Sequence, residues 1–216
     1  MIVDERFSAY INSLNEGNDG VLYEIEKEAI KTDVPIIRTD TQQFIRTVLN
    51  EHKPVAILEV GTAIGFSAVF MAVNNPVSCQ ITTIENYEKR IPIAKDNFKR
   101  ASVEDKITLL EGDATDILKE LKGPYDMIFM DAAKAQYINF YPEVKRLLKP
   151  GGILLSDNVL QDGDIVESRF IVIRRNRTIH KRMREYLYTL THDEDMVTSI
   201  LPIGDGVAYS VKKESK

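Results

Sequence analysis

Apolar residues follow two different periods along the chain, and the change from one to the other falls near residue 54. Before that point they recur at helical spacing, first at Phe7, Tyr10, Ile11 and Leu14. No alternating or continuous apolar run typical of a strand precedes residue 55. Residues 1–50 are therefore predicted to form a helical cap attached to a later sheet.

Two more helices are predicted within this cap. The first should end at Val34-Pro35, because a residue before proline disfavours the helical conformation. Its apolar stripe is Val21, Leu22, Ile25, Ala29 and Ile30. The second opens at Thr39-x-x-Gln42, a pattern that resembles a capping box. Its stripe is Phe44, Ile45, Val48 and Leu49.

After residue 54 short apolar runs alternate with amphipathic stretches. Strands are predicted at 55–60, 80–84, 107–110, 125–130 and 153–156, with helices at 66–73, 88–100, 116–121, 137–148 and 171–190. Such alternation predicts a parallel sheet with helices on both faces, an α/β doubly wound fold. The tail at 197–202 and 207–211 reads as an antiparallel hairpin that closes the sheet. The 216 residues are expected to form a single domain, with a core from 51 to 216.

Composition is that of an ordinary globular protein, with 44% hydrophobic and 28% charged residues. No apolar run approaches 18 residues, so no membrane span is predicted. The N-terminus lacks a signal-peptide pattern. Cys79 is the single cysteine, which excludes an internal disulfide and a cysteine-rich zinc site. A cytoplasmic protein is expected. The net charge of −5 argues against a uniformly basic nucleic-acid binder.

One segment departs from this acidic average. Between Ser168 and Arg184 every charged residue is basic. At helical spacing one stripe holds four cations, flanked by Arg175 and Arg182: Arg174, Arg177, Lys181 and Arg184. The opposite stripe is apolar: Ile179, Met183, Tyr186 and Leu190. With no acid to pair with, the basic stripe is predicted to bind phosphates of an RNA stem-loop. A solvated helix face is the alternative.

A glycine turn follows the first predicted strand. Gly61 and Gly65 separate the apolar run at 55–60 from the helix that contains Ser67. Such a turn brings bare backbone and free N–H groups close to a ligand. The spacing differs from the dinucleotide pattern G-x-G-x-x-G, and Glu59 stands just before it. A plain strand–helix turn is the alternative interpretation.

Acidic residues end the next two strands, where ligands bind in open α/β sheets. Glu85 is predicted to accept hydrogen bonds from the ribose hydroxyls of a nucleoside, unless it is a loop acid or a helix cap. Asp113, with the amide of Ala114 beside it, is predicted to receive an adenine amino group. An N-cap for the following helix explains Asp113 equally well.

Asp131 ends the fourth strand, and Asp157-Asn158 end the fifth. Two carboxylates and a carboxamide at one edge of a sheet suit Mg²⁺ or Ca²⁺. A turn explains Asp157-Asn158 locally as well. Lys134 follows nearby; beside a divalent cation its ammonium form would be disfavoured, which suits a general base. A lysine in the first turn of a helix is the alternative.

Four segments together resemble one known family: 59–67, Asp131-Ala132-Ala133-Lys134, Asp157-Asn158-Val159-Leu160 and Pro202-Ile203-Gly204-Asp205-Gly206. They resemble the metal-dependent O-methyltransferases of the catechol and caffeoyl-CoA group, over roughly residues 35–213. The resemblance implies a Rossmann-like class I methyltransferase fold with a seven-stranded sheet. It also implies homodimers.

The resemblance assigns roles to particular residues. S-adenosylmethionine would be contacted by Ile37, Ser67, Glu85, Asp113, Ala114 and Asp131, together with Glu59 and Gly61 of the glycine turn. Mg²⁺ would be held by Asp131, Asp157 and Asn158, and Lys134 would be the catalytic base. One departure is Gln161, near where many plant members carry tryptophan; this chain has none, which puts phenylpropanoid substrates in doubt.

Within that family the chain most resembles the bacterial tRNA 5-hydroxyuridine methyltransferases. The features that fit are the Tyr10-Ile11 region, Val34-Pro35-Ile36 and the basic segment before Glu185-Tyr186. The implied partner is a tRNA anticodon stem-loop, methylated at its wobble position to 5-methoxyuridine. Two other hypotheses are a methyltransferase acting on small catechols or phenols, and a nucleotide-binding module without catalysis.

Overall fold

The computed structural model describes residues 2–168 and 170–214. Three helices come first, as predicted: α1 Glu5–Ser13, α2 Gly20–Lys31 and α3 Thr39–His52. The predicted capping box at α3 is wrong, because Arg38 is the N-cap residue and gives no side-chain cap. The Gln42 side chain instead donates to the carbonyl of Ile37 and to Glu26, which ties α3 to α2.

The remaining chain alternates strands and helices as the apolar pattern predicts. The elements are β1 Ala56–Val60, α4 Phe66–Asn74, β2 Gln80–Glu85, α5 Ile91–Arg100, β3 Ile107–Glu111, α6 Ala114–Glu120, β4 Tyr125–Met130, α7 Tyr137–Leu147, β5 Leu148–Ser156, α8 Arg177–Thr191, β6 Met196–Leu201 and β7 Val207–Lys212. The predicted helix at 171–190 is wrong in its first part, because residues Arg174–Asn176 form a separate 3₁₀ turn ahead of α8.

The seven strands lie in the order β3-β2-β1-β4-β5-β7-β6. Strands β1 to β5 pair in parallel, and β7 runs antiparallel to both β5 and β6. The order reverses between β1 and β4, so the connections leave a cleft at the carboxyl ends of these strands. The predicted α/β doubly wound fold with a C-terminal hairpin is confirmed.

Helices cover both faces of the sheet. Successive residues of a strand point to opposite faces, and in β1 Ile57 packs with α2 to α5 while Leu58 packs with α6 to α8. Helices α2 and α3 share the first of these cores with the sheet. Helix α1 contributes no buried residue, so the apolar face predicted for it is largely exposed. Among the described helices none has the length and apolarity needed to cross a membrane.

Candidate active site

A cavity of about 760 Å³ opens at the carboxyl edge of the sheet. Its walls include most of the residues that the sequence singles out: Gly61, Glu85, Asp113, Ala114, Asp131, Lys134, Asp157 and Asn158. A smaller cavity shares Gly61 and Asp131 with it and adds Ile37 and Ser67. The strand-end residues therefore converge, as the sheet topology requires.

The glycine turn brings β1 against the end of β4. Gly61 has φ +104°, and a Cβ there would lie 2.2 Å from the carbonyl oxygen of Asp131. The N–H groups of Gly61 and Thr62 both donate to the carbonyl of Ile84, at 3.2 and 3.1 Å. The position therefore requires glycine, because a side chain there would force the ends of β1 and β4 apart.

The position of Glu59 differs from the expectation that this residue contacts the cofactor. Its side chain is fully buried and lines neither cavity, so it does not contact a cofactor there. Its carboxyl accepts hydrogen bonds from the hydroxyls of Ser67 and Thr83, which join α4 and β2 to β1. Burial raises the pKa of Glu59 to about 8 in spite of these two bonds. Glu59 thus holds Ser67 in position from behind the cavity wall.

Glu85 and Asp113 line the cavity while also organising its loops. The Glu85 carboxylate accepts from the backbone N–H groups of Ala63, Asn86 and Tyr87, at 2.7, 3.0 and 2.8 Å. Asp113 is the N-cap of α6 and accepts from the Thr115 N–H at 2.7 Å. Hydrogen bonding by the side chain of Thr115, and after it by this N–H group, lowers the pKa of Asp113. These hydrogen bonds therefore orient both carboxylates at the cavity wall.

Asp131, Asp157 and Asn158 meet where β4 and β5 end. The Asp157 N–H donates to the carbonyl of Met130 at 2.9 Å, which sets the two ends side by side. Burial, and after it the charge of Asp131, raise the pKa of Asp157 to about 7. Asn158 adopts φ 57°, a left-handed conformation that asparagine tolerates better than most residues.

This donor set fits Mg²⁺. Within the described chain no group of three or more His, Cys, Asp or Glu side chains is placed to hold a metal, so the site has two carboxylates and one carboxamide. These are hard oxygen ligands, which leave positions free for water and substrate. A divalent cation held by Asp131 and Asp157 would also offset the repulsion between the two carboxylates, which contributes to the raised pKa of Asp157.

Lys134 lies near Asp205, a residue to which the sequence alone assigned no role. Its Nζ lies 3.9 Å from a carboxylate oxygen of Asp205, which is buried. Asp205 also accepts a hydrogen bond from the backbone N–H of Asp162. Burial raises the pKa of Asp205. The segment 202–206 stood out as a motif, and this contact shows that it reaches the same cavity as Lys134.

An ion pair closes the rim of the cavity. Arg38 donates from Nη2 to Asp162 at 2.9 Å, and Asp40 accepts from the N–H of Gly204 at 2.9 Å. These contacts join the segment before α3 to the loops after β5 and before β7. Neither Arg38 nor Asp162 stands in a recognisable motif, so only the structure reveals them.

The six basic residues predicted to bind RNA lie outside the cavity. Arg174, Arg175, Lys181 and Arg184 are exposed, and Arg177 and Arg182 are half-buried. The expectation that no acid pairs with them is wrong, since Lys181 lies 3.6 Å from Glu185. Arg174 belongs to the 3₁₀ turn, so the predicted stripe does not run along one continuous helix. The apolar side is as predicted for Met183, Tyr186 and Leu190, which are buried.

Three of these arginines also bond to backbone carbonyls. Arg182 donates to Ala135 at 3.1 Å, beside Lys134, and Arg184 donates to Ile165 at 3.1 Å. Arg177 donates to the carbonyls of Val172 and Phe170. Carbonyls are neutral, so the guanidinium charges remain. The bonds fix α8 and its preceding loop beside the cavity.

Comparisons with known proteins agree with this geometry. The model of the family described as O-methyltransferase matches residues 12–213. Catechol O-methyltransferase of Niastella koreensis is 31% identical over 169 residues, 76% of this chain and 76% of that protein. Caffeoyl-CoA O-methyltransferase 1 of Eucalyptus globulus is 31% identical over 178 residues, 78% of this chain and 71% of the relative.

Solved structures show the same architecture. A candidate caffeoyl-CoA O-methyltransferase from Staphylococcus aureus has a TM-score of 0.88 at 32% identity, covering 94% of this chain and 98% of that one. A methyltransferase from Podospora anserina has a TM-score of 0.87 at 27% identity, covering 97% and 95%. The chain belongs to the O-methyltransferase family. This confirms the resemblance at the level of the family.

Proposed function

We propose that this O-methyltransferase transfers methyl from S-adenosylmethionine to the 5-hydroxyl of 5-hydroxyuridine at the tRNA wobble position, with Mg²⁺. The family supports the reaction class, transfer of a sulfonium methyl to an oxygen. The observation that supports the RNA substrate is the exposed basic surface beside the cavity, on a chain with a net charge of −5.

The two ends of the cavity suit the two substrates. Glu85, Asp113 and Ala114 line the end where β2 and β3 finish, and we assign it to the nucleoside part of S-adenosylmethionine. Ser67 and Ile37 line the adjoining small cavity and suit the amino-acid part. The acceptor then occupies the opposite end, next to Asp157, Lys134 and Asp205.

Mg²⁺ would be held by Asp131, Asp157 and Asn158; when bound, it supplies charge that orients neighbouring substrate oxygens and acidifies a hydroxyl. A 5-hydroxyuracil has its 5-hydroxyl next to the 4-carbonyl, the same arrangement of adjacent oxygens as in a catechol. The donor set therefore accommodates either kind of acceptor, and the metal site alone does not discriminate between them.

Lys134 takes the proton of the acceptor hydroxyl, and Asp205 keeps its Nζ directed into the acceptor end. The acceptor oxygen forms a bond to the methyl carbon as the carbon–sulfur bond breaks, which leaves S-adenosylhomocysteine and a methyl ether. The side chains orient and deprotonate; the cofactor supplies the reactive methyl group.

The basic surface would hold the anticodon stem-loop by its phosphates while the wobble base enters the cavity. Sequence-specific RNA recognition commonly uses splayed loop bases, because the major groove of a duplex is inaccessible to side chains. Arg174, Arg175 and Lys181 are the exposed cations best placed for this, because the other three cations already bond to backbone carbonyls: Arg177, Arg182 and Arg184.

A second candidate is methylation of a small catechol or phenol. The observation that favours it is the pair of relatives above that are named catechol and caffeoyl-CoA O-methyltransferases, each 31% identical. In that case the basic surface would be a solvated helix face.

Charge reversal separates the two candidates. We expect the triple variant Arg174→Glu, Arg175→Glu, Lys181→Glu to lose at least about tenfold in kcat/KM on a 5-hydroxyuridine stem-loop, since phosphate contacts supply much of RNA affinity. Turnover of catechol should be unchanged. The control reverses three exposed lysines elsewhere and changes net charge equally: Lys31, Lys99 and Lys122.

The outcomes are distinct. Equal loss on both substrates, or no loss on the stem-loop, would count against an RNA substrate. Transfer of labelled methyl with Mg²⁺, abolished by EDTA, would exclude a nucleotide-binding module without catalysis. Persistence of the full rate in EDTA would contradict the metal assignment.

A further inference from the structure

The loop between β5 and α8 exposes an apolar surface. Phe170, Val166 and Ile171 are the three most exposed large apolar side chains in the described part of the chain, and Phe170 is 84% exposed. Ile173, on the same loop, is also mostly in water. Clustered exposed apolar side chains commonly mark an interaction site. None of the four lines the cavity, so the proposed methyl transfer does not explain them.

Hydrogen bonds hold the backbone of this loop although its side chains are in water. The Ile171 N–H donates to the carbonyl of Ser168 at 2.9 Å. Arg177 donates from Nε to Val172 at 3.1 Å and from Nη2 to Phe170 at 3.2 Å. Val172 itself is buried. Arg177 thus fixes the backbone on both sides of Ile171 while the neighbouring side chains face outward.

The surroundings of the loop are basic and close to the cavity. Arg174 and Arg175 follow Ile173 directly and are exposed. Arg184 of α8 donates to Ile165 at 3.1 Å, and Arg182 donates to Ala135, the neighbour of Lys134, at 3.1 Å. An occupant of the loop would therefore combine flat apolar groups with negative charge and extend from the acceptor end of the cavity.

We infer that this loop is a platform for unpaired nucleotides of the RNA substrate, with a base stacked on the Phe170 ring and phosphates near Arg174 and Arg175. The inference rests on the proposed RNA substrate. Every base offers a π-face to an aromatic ring, and single-stranded nucleic acid is commonly bound by such rings within a basic groove. In this account Arg177 is a positioning residue that holds the loop, and its part in RNA binding is indirect.

Fluorescence offers a direct test, because the chain contains no tryptophan. In Phe170→Trp all tryptophan emission reports on this position, and stacking on a base should quench it when the anticodon stem-loop binds. Tyr23→Trp is the control, since Tyr23 is an exposed aromatic residue on α2. A fully paired duplex of similar length should leave emission at position 170 unchanged. Unchanged emission at saturating stem-loop, with binding followed by labelled RNA, would overturn the inference.

Kinetics test the need for an aromatic ring. Phe170→Ala and Phe170→Leu should raise KM for the stem-loop about tenfold, the effect of losing one stacked base, with kcat retained. Phe170→Tyr should keep the wild-type KM, and none of the three should change turnover of the free 5-hydroxyuridine nucleoside. A wild-type KM for the leucine variant, or equal damage on the nucleoside, contradicts stacking.

Two further outcomes have separate meanings. If the wild-type protein methylates catechol and neither hydroxyuridine substrate, the proposed function fails, independently of the loop. If the stem-loop is methylated equally well by Phe170→Ala and wild type, only the platform fails. Light scattering on Phe170→Ala tests whether the loop instead contacts a second copy of the chain. The molecular mass of the variant should equal that of the wild type, and a lower mass would overturn the inference.

Discussion

Single residues at the carboxyl edge of the sheet determine how closely its strands approach. Gly61 is the sharpest case, because its positive φ and its contact with the Asp131 carbonyl both exclude a side chain. The sequence indicated a ligand-binding glycine turn, but the distance to a residue seventy positions away follows only from the pairing of β1 with β4.

Gly61→Ala should destabilise the fold by about 3 kcal/mol or more, the combined cost of a strained φ and overpacking. Gly163→Ala is the matched control, because Gly163 has φ +99° and open space around its Cα. That variant should lose only about 1 kcal/mol, the backbone cost alone. Chemical denaturation of both variants measures the difference. Equal losses would show that the contact with Asp131 is unimportant.

Glu59 predicts a pH dependence of stability. Its pKa rises from 4.5 to about 8 on folding, chiefly through burial. Between these values the folded chain binds a proton that the unfolded chain lacks. The contribution of Glu59 is therefore fully present below pH 4.5, and the free energy of unfolding falls as pH rises toward 8.

Glu59→Gln should remove this part of the pH dependence. Between pH 5 and pH 9 its free energy of unfolding should increase by several kcal/mol relative to that of the wild type. Denaturant titrations across that range give the difference curve. Glu104→Gln, at an exposed position, should follow the wild type throughout. If the free energy of unfolding of Glu59→Gln followed the same pH dependence as the wild type, Glu59 would not be protonated in the folded chain.

At the scale of elements, periodicity predicted all eight α-helices and seven strands of the described chain, with errors concentrated at helix starts. The errors have a physical cause. Thr39 and Gln42 have the residue types of a capping box, but tertiary contacts give the Gln42 side chain better partners in Glu26 and Ile37. Likewise Ile171 and Ile173 continue a helical pattern, yet their segment forms a loop held by Arg177.

Helix α1 is amphipathic as predicted, but its apolar face meets solvent. Leu14 is 66% exposed. A second copy of the chain is the partner that the family resemblance suggests, and we expect a homodimer in light scattering. Leu14→Glu should yield monomers, because a charge in an apolar contact is costly. Tyr188→Glu, at a side chain that is also 66% exposed, should remain dimeric. A monomeric wild type would contradict this assembly.

For the whole molecule, the sequence identified the strand-end acids because a parallel sheet brings all its carboxyl ends to one edge. The positions of Asp131, Asp157 and Asn158 at that edge follow from the order of strands and helices alone. Arg38 and Asp162 could not be found in this way, because their pairing depends on how the segment before α3 folds across the loop after β5. The acceptor side of the cavity is therefore the part that sequence reasoning described least.

We propose the wobble 5-hydroxyuridine of tRNA as the methyl acceptor. Mass spectrometry of nucleosides from total tRNA, in cells with and without this protein, tests it most directly. We expect 5-methoxyuridine to disappear and 5-hydroxyuridine to accumulate in the deletion strain, and the Lys134→Ala variant to fail to restore the methyl group. Unchanged 5-methoxyuridine in the deletion strain would contradict it.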